Sequence, residues 1–304
     1  MKKIGSNKEL VVTRRSWLPP ILLAILYTPL PLWAGEPGKP ESPPQSSAAQ
    51  TIIERTKREF RKARFNKPEN SDASGIEQKL APLIVEEFGE ATSPKIGALL
   101  PSPGKDHAVP FRPATIYFDE REVECGSLRH AQLIFVWWYE QQHESRRVIK
   151  PTFLPRGVRI VVDSDGMPVL WEALQHLRGL RMFFVSQSFE LAAREQFGAP
   201  LPGRRFSVER SLADASNIIV SGILDDGPMP MGPYVYVDAS SQRAISTIHC
   251  RCSPSQFEEI VETNEYELTP LKELDSHWLR ERGGIDMDKL GDESMEDLFR
   301  WPKL

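Results

Sequence analysis

The sequence lacks the short motifs by which many enzymes can be recognised. It contains no glycine-rich phosphate-binding loop, no His-Glu-x-x-His metal motif, no Gly-x-Ser-x-Gly nucleophile elbow and no Cys-x-x-Cys redox pair. It also has no internal repeat of fixed period. Without a catalytic signature, the sequence leaves open whether the protein is an enzyme.

Cysteine is scarce, since the 304 residues include only Cys125, Cys250 and Cys252. An odd count excludes a fully paired framework, and so few cysteines in a chain of this length exclude a disulfide-rich scaffold. Two interpretations are equally favoured. Either Cys125 forms a disulfide with Cys250 or Cys252, or the thiols are buried as small hydrophobic groups.

His249, Cys250 and Cys252 form the only concentrated group of soft metal ligands in the sequence. In an extended strand the two cysteines point to one face, with β-carbons about 7 Å apart, and His249 points to the other face. Structural zinc sites usually take Cys-x2–4-Cys from a turn, with two further ligands elsewhere. A further ligand would have to be Cys125 or a distant histidine. We therefore predict no cofactor and keep these four residues only as candidate ligands.

The excess of acidic over basic residues is modest in the whole chain but larger without its N-terminus. The formal net charge is −4, and residues 1–34 carry a net +4, so their removal would leave −8. A protein of that charge has no general attraction to nucleic acid, which we exclude as a partner.

Residues 1–34 are predicted to be an export signal. A basic start that includes Arg14 and Arg15 is followed by the uncharged residues 17–34, and the small Ala34 precedes the expected cleavage point. We therefore expect an exported protein, periplasmic or extracellular. The alternative is a retained membrane anchor at residues 17–34. Four prolines in that stretch make a poor spanning helix, so cleavage is favoured.

The residues around the paired arginines carry a further indication. Thr13 to Leu18 has the order Thr-Arg-Arg-x-aromatic-Leu, which resembles the twin-arginine signal. The resemblance covers six residues and implies export of a protein that has already folded.

Changes in composition along the chain predict five regions. Residues 35–50 are rich in Pro, Ser and Gly, which is typical of a disordered spacer. The predicted order is a signal peptide or anchor (1–34), the spacer (35–50), a basic helix, a second helix and a Pro-rich loop (51–113), a globular α+β domain (114–266) and an acidic helical tail (267–304).

Two helices are predicted before the globular domain. In residues 51–67, Ile52, Ile53 and Phe60 fall on one helical face and basic side chains occupy the rest. This basic segment could contact an anionic membrane or an acidic envelope polymer, but light packing on the domain is favoured because its apolar stripe is thin. Residues 76–88 have helical spacing of apolar side chains despite Pro82.

Short apolar runs separated by turn residues predict strands in the globular domain. The candidates are residues 114–118, 131–139, 158–163, 167–174, 181–186, 218–224, 234–238 and 244–252, with an edge strand at 204–210. Residues 133–140 are apolar on both faces, which is typical of a central strand. Asp165-Gly166 predicts the turn of a hairpin between residues 158 and 174.

Two helices are predicted to pack on these strands. One spans residues 188–197 and ends at Gly198, and the other begins at Ser253-Pro254. Because hairpins outnumber helices, we expect an α+β fold. It would comprise a mainly antiparallel sheet built from hairpins, two or three packing helices and a long Pro-rich irregular N-terminal region.

Acidic residues cluster in two of the predicted turns. Asp163 and Asp165 lie in one, and Asp225 and Asp226 lie in the other. If the two turns converge, these side chains could hold Ca²⁺ or act as an acid–base pair. Capping of the backbone is the favoured interpretation, because turn acids usually bond their own backbone.

These observations favour a non-catalytic binding or structural domain, exported to a bacterial envelope or periplasm, with an unidentified envelope partner or polymer. The alternative is a small exported enzyme, either a hydrolase or a thiol- or metal-dependent enzyme. It would use Cys250 and Cys252, or the acidic turns at Asp163/Asp165 and Asp225/Asp226.

Overall fold

The structure is a computed structural model in which most of the described residues form strands. It describes residues 47–57, 59–69, 74–89, 95–97, 114–125, 128–141, 152–177, 180–211, 217–240, 243–253, 256–274, 279 and 301–303. The predicted signal, most of the spacer and most of the acidic tail lie outside these residues.

The helices and strands follow the chain in a mixed order. They are α1 (Ser47–Arg55), β1 (Phe60–Pro68), α2 (Ile76–Lys79), β2 (Leu83–Glu87), β3 (Ile96–Gly97), β4 (Ala114–Cys125), β5 (Leu128–Gln141), β6 (Thr152–Val162), β7 (Pro168–Leu177), β8 (Leu180–Ser186), α3 (Gln187–Phe197), β9 (Ile218–Leu224), β10 (Tyr234–Val237), β11 (Ile245–His249) and β12 (Phe257–Pro270). Short 3-10 turns occupy Ser207–Ser211 and Leu271–Glu273.

Eleven of the described strands form one continuous mixed sheet. Their order is β11-β10-β2-β1-β12-β4-β5-β6-β7-β8-β9, and β3 pairs with β5 off this path. The strands from β4 to β8 form an antiparallel meander. Parallel pairs join β10 to β2, β1 to β12, β12 to β4 and β8 to β9. The predicted mainly antiparallel α+β fold is therefore wrong.

The sheet curls until it nearly closes on itself. The side chain of Gln175 on β7 reaches β11 at the first edge of the sheet. Its Nε2 donates to the carbonyl oxygen of Ile245 at 2.9 Å, and the Ile245 amide donates to its Oε1 at 2.6 Å. One side-chain amide thus replaces a pair of ladder hydrogen bonds between the two strands.

The curl gives the sheet an inner and an outer face. Alternate residues of β5, including Leu133, Phe135, Trp137 and Tyr139, belong to a large buried cluster to which most of the strands contribute. Smaller clusters lie on the outer face, where α3 covers one and Leu271 and its neighbours cover another.

The helix predicted for residues 51–67 is wrong beyond Arg55, because residues from Phe60 onward form β1. The basic side chains of β1 are matched by glutamates of the parallel neighbour β12. Lys62, Arg64 and Lys67 form ion pairs with glutamates at positions 259, 262 and 265. A basic segment that looked like the polar face of a helix is therefore a strand beside an acidic strand.

Two other helix predictions are also wrong. Of residues 76–88, only α2 is helical, and the chain re-enters the sheet as β2 directly after Pro82. The chain after Ser253 forms β12 rather than a helix. The edge strand predicted at residues 204–210 is largely a 3-10 turn. The strands β2 and β12 form because they pair with distant strands, and this pairing outweighed their local helical periodicity. Residues 204–210 have no such pairing within the described sheet, so their local pattern did not produce a strand.

Several local predictions are confirmed. The hairpin of β6 and β7 turns at Asp163–Gly166, where Gly166 has φ 77°. The central strand β5 pairs on both sides, with β4 and β6. The helix α3 ends at Gly198, whose φ of 91° suits glycine. Within the described part of the chain, no helix has the length and apolarity needed to cross a bilayer.

Candidate binding site

Charged residues of β1 and β2 point to the inner face of the sheet. Ile84 of β2 belongs to the inner cluster, and Glu86, two residues further along, shares its face. The Glu86 side chain is about 1% exposed, and its Oε2 accepts hydrogen bonds from Asn66 Nδ2 at 3.1 Å and from Arg64 Nη1 at 3.4 Å. These bonds fix the carboxylate and neutralise its charge.

The same network continues from Glu86 to the surface. Arg64 Nε donates to Glu262 Oε2 at 2.8 Å, and Lys95 Nζ donates to Glu262 Oε1 at 2.9 Å. The hydrogen bond from Lys95, followed by that from Arg64, lowers the pKa of Glu262 to about 2. Glu262 therefore remains ionised at neutral pH. It fixes the position of Arg64, which in turn donates to Glu86.

Two aromatic side chains of β5 bring polar atoms to the same region. Trp137 and Tyr139 are fully buried on the inner face. Burial first, and then the negative charge of Glu86, raise the pKa of Tyr139 well above its usual value of 10. The hydroxyl group of Tyr139 is therefore a protonated donor close to the Glu86 carboxylate.

Three polar atoms of this region lack hydrogen-bond partners. Tyr139 Oη lies close to the side chains of both Glu86 and Trp137. Even so, among the described residues Glu86 Oε1, Trp137 Nε1 and Tyr139 Oη form no hydrogen bond of good geometry. Most buried polar atoms in folded proteins have a partner, so a group of such atoms is unusual. Trp171 on β7 adds a further buried indole N–H without a partner in the described part of the chain.

The loop between β10 and β11 places Arg243 over this region. Asp238 Oδ1 shapes the loop by accepting from the amides of Ser240 and Ala244, both at 3.1 Å. The guanidinium carbon of Arg243 lies 5.6 Å from the centre of the Tyr139 ring. Arg243 has φ 45°, a left-handed conformation that costs a non-glycine residue about 1 kcal/mol.

We call Glu86, Trp137, Tyr139 and Arg243 the interior polar cluster. It combines an acceptor on Glu86 with donors on Trp137 and Tyr139, and it lies beside the apolar core of the inner face. Arg156 of β6 is bonded to this cluster, since its Nε donates to the carbonyl oxygen of Arg243 at 2.8 Å. The cluster therefore concentrates polar side-chain atoms within an otherwise apolar interior.

The disulfide in the structure is not the predicted one between Cys125 and Cys250 or Cys252. The bond joins Cys250 to Cys252, with an S–S distance of 2.08 Å. Neither sulfur is therefore available to Cys125, which is buried in the outer cluster that contains α3. Both bonded cysteines follow β11, at the end of β10 and β11 opposite to the interior polar cluster.

His249 lies on the outer face of β11. Its ring meets the ring of Tyr236 edge-on at 5.4 Å between centres, and its Nε2 is 3.2 Å from Thr247 Oγ1. Burial lowers the pKa of His249 below its usual value of 6.5. Among the described residues, no group of three His, Cys, Asp or Glu side chains is arranged to hold a metal ion.

One acid of each turn, Asp163 and Asp226, bonds to backbone, whereas Asp225 Oδ2 accepts from the hydroxyl group of Ser253. Asp163 Oδ1 accepts from the amides of Asp165 and Met167 at 2.9 and 2.8 Å. Asp226 accepts from both the amide and the hydroxyl group of Ser188 at 3.0 Å, at the start of α3. Asp163 thus caps its own turn, as expected of a turn acid, whereas Asp226 satisfies an amide at the start of α3.

Sequence analysis did not identify the interior polar cluster. Its members come from β2, β5 and the loop after β10, so no local motif connects them. The strand that carries Trp137 and Tyr139 was recognised as central, and the polar tips of these aromatics were the only local signal. Glu86 lay in a segment predicted to be helical, where its partner strand could not be foreseen.

Comparison with known proteins finds no matching family, no similar curated protein and no similar solved structure.

Proposed function

We propose that this chain is an exported, non-catalytic binding protein that takes a small molecule at the interior polar cluster. One observation carries the proposal: Glu86 Oε1, Trp137 Nε1 and Tyr139 Oη are buried close together, yet among the described residues they form no hydrogen bond of good geometry. Each such atom costs about 1–3 kcal/mol when it is left unsatisfied. A ligand that supplies their partners would offset this cost.

The backbone of Arg243 supports the same interpretation. A non-glycine residue in the left-handed region is unusual, and such outliers are found most often at functional sites. The conformation carries the guanidinium group to the Tyr139 ring. We infer that Arg243 helps to position the ligand.

The chemistry of the cluster defines the class of ligand. Because Trp137 Nε1 and Glu86 Oε1 form no hydrogen bond of good geometry, an acceptor for Trp137 and a donor for Glu86 would complete the cluster. Because Glu86 Oε2 is already bonded to Arg64 and Asn66, a neutral N–H or O–H group suits it better than a second cation. The neighbouring aromatic and aliphatic side chains suit an apolar body. The expected ligand is a compact, largely apolar molecule that carries a donor beside an acceptor.

Export is supported by two observations. The N-terminal residues 1–34 have the pattern of a signal. The bond between Cys250 and Cys252 is of a kind that persists mainly in oxidising compartments. We do not propose membrane contact through residues 51–67, because the basic side chains at positions 62, 64 and 67 are paired with glutamates of β12.

The proposal is tested with simple probes on the full chain. Benzamide carries a donor beside an acceptor on an apolar ring, and toluene is its apolar counterpart. We expect benzamide to raise the melting temperature in a saturable manner and toluene to have a smaller effect.

Two tyrosine variants locate the site. Tyr139→Phe should weaken benzamide binding by about five- to tenfold, which corresponds to one lost hydrogen bond. Tyr266→Phe removes a hydroxyl group that donates to the Pro82 carbonyl oxygen at 2.6 Å, so it should leave binding unchanged. Equal binding of benzamide and toluene, or an equal effect of both variants, would contradict the proposal.

A further inference from the structure

The disulfide between Cys250 and Cys252 lies in a tight turn that follows β11. The amide of Ser253 donates to the carbonyl oxygen of Cys250 at 3.1 Å and closes the turn. This hydrogen bond involves only backbone atoms. It does not depend on the sulfur atoms, so the turn has a means of persisting after the disulfide opens.

The two sulfur-bearing residues differ in exposure. Cys252 is exposed, whereas Cys250 is only 6% exposed and packs in the inner cluster. A thiolate that arrives from solvent can therefore reach Cys252 but not Cys250. Accessibility decides which sulfur of a disulfide is attacked.

The buried sulfur has a donor that can stabilise negative charge. The amide of Cys252 donates to Cys250 Sγ at 3.1 Å. Because both atoms belong to the same closed turn, this hydrogen bond can remain when the disulfide opens. A backbone N–H group that points at sulfur favours the thiolate over the thiol, and a better-stabilised leaving thiolate departs faster.

We propose that Cys250–Cys252 is a thiol–disulfide exchange site. An incoming thiolate attacks Cys252 Sγ and forms a mixed disulfide, while the bond to Cys250 breaks and its electron pair leaves on Cys250 as a thiolate. A second incoming thiolate attacks the sulfur of the first, which releases Cys252 as a thiolate. Two thiols are thereby oxidised to one disulfide, and the Cys250–Cys252 disulfide is reduced to two cysteine thiols.

Acidic groups beside Cys252 indicate the charge of the incoming thiol. Cys252 Sγ lies 3.7 Å from the carbonyl oxygen of Asp225, and the carboxylate of Asp225 accepts from Ser253 Oγ at 2.8 Å. Asp226 follows directly, where it caps α3. The Asp225 carboxylate, bonded to the residue that follows Cys252, repels anionic thiols and attracts cationic ones. The favoured substrate is therefore a thiol that carries positive charge.

This site is separate from the interior polar cluster, because the two lie at opposite ends of β10 and β11. The failure of either proposal leaves the other standing.

The position of attack is tested on the oxidised full chain with cysteamine, followed by alkylation with iodoacetamide. Trypsin cleaves after Arg251 and so places the two cysteines on different peptides. We expect cysteamine on Cys252 and the alkyl group on Cys250. Cysteamine on Cys250, or no reaction with the folded chain under conditions in which the unfolded chain reacts, would overturn the proposal.

The charge preference is tested by comparing cysteamine with the anionic 2-mercaptoethanesulfonate. Asp225→Asn should lower the ratio of their rate constants about three- to fivefold, because one carboxylate near the sulfur is lost. Glu195→Gln is the matched control. Glu195 is exposed on α3, roughly 10 Å along the helix from Ser188, where salt screens its charge. An unchanged ratio in Asp225→Asn would contradict the assignment of a cationic thiol.

Two sources could supply such a thiol, a small aminothiol or a cysteine beside basic residues of a protein. The peptide Lys-Cys-Lys separates them when it is compared with cysteamine at equal thiolate concentration. A faster reaction of the peptide assigns a protein cysteine, and an equal or slower one assigns the small aminothiol. If neither cysteamine nor the peptide reacts faster than 2-mercaptoethanesulfonate, the preference for a cationic thiol is overturned.

Discussion

Tyr139 and Tyr266 are both buried on the inner face, but their hydroxyl groups differ. Tyr266 Oη donates to the carbonyl oxygen of Pro82 at 2.6 Å, whereas Tyr139 Oη, although close to Glu86 and Trp137, forms no hydrogen bond of good geometry among the described residues. A buried hydroxyl group stabilises a fold when it is bonded and destabilises it when it is not. The two residues should therefore respond in opposite ways to removal of the oxygen atom.

Tyr139→Phe should leave the free energy of unfolding within about 0.5 kcal/mol of wild type or raise it, because it deletes an unsatisfied group. Tyr266→Phe should lower it by about 1–2 kcal/mol, because it leaves the Pro82 carbonyl group without its donor. Urea unfolding measures both values. A loss in Tyr139→Phe as large as that in Tyr266→Phe would mean that the Tyr139 hydroxyl group is bonded within the fold.

Glu262 should contribute to the loss of stability in acid. Its pKa is lowered to about 2 from 4.5, so the unfolded chain binds its proton at higher pH than the folded one. The stability that it contributes is present above pH 4.5 and is lost as the pH falls toward 2. Glu262→Gln should cost about 1 kcal/mol at pH 7, as expected for a partly exposed pair, and the cost should shrink between these pH values.

Urea unfolding at several pH values checks this dependence. Glu265→Gln is the control at pH 7. Its ion pair with Lys67 is about half exposed, so the change should cost less than about 0.5 kcal/mol. A cost for Glu262→Gln that is independent of pH would show that its charge does not link folding to protons.

At the scale of elements, local sequence predicted those strands and helices that depend on their own residues. The β6–β7 hairpin was predictable because its turn chemistry lies within the turn, and α3 because Gly198 ends it. The strands β1 and β12 could not be predicted locally. They pair with each other in parallel, although they lie near opposite ends of the described sequence. Their opposite charges, Lys62 to Lys67 against Glu259 to Glu265, are complementary only once the two segments are adjacent.

The Gln175 bridge between β7 and β11 can be tested by removing the side-chain amide. Gln175→Ala leaves the amide and carbonyl groups of buried Ile245 without these partners, so we expect a loss of about 2 kcal/mol and faster hydrogen exchange at Ile245. The measurements are urea unfolding and amide exchange by NMR.

The chain contains a matched control for this bridge. Gln196 bonds the backbone of Lys303 in the same two-fold manner, at 2.8 and 3.0 Å, but it is exposed. Gln196→Ala should cost less than about 0.5 kcal/mol, because water replaces both hydrogen bonds. Equal losses in the two variants would show that the Gln175 bridge does not close the sheet edge.

At the scale of the whole molecule, the curled sheet has two chemically different ends. The interior polar cluster occupies one, where β5 and β10 end, and the disulfide occupies the other, where β11 ends. Cys250 and Cys252 were evident from the sequence because only Arg251 separates them. The interior polar cluster was not evident from the sequence. Glu86 and Arg243 are distant in sequence and come close to Tyr139 only when the sheet curls.

The indole N–H resonance of Trp137 in the full chain, labelled with ¹⁵N, reports directly on whether this buried donor gains a partner. Trp137→Phe assigns the resonance by removing it. Titration with benzamide should shift the Trp137 resonance saturably, and toluene at the same concentrations should shift it less. A Trp137 resonance that benzamide does not move at any concentration would contradict binding at the interior polar cluster.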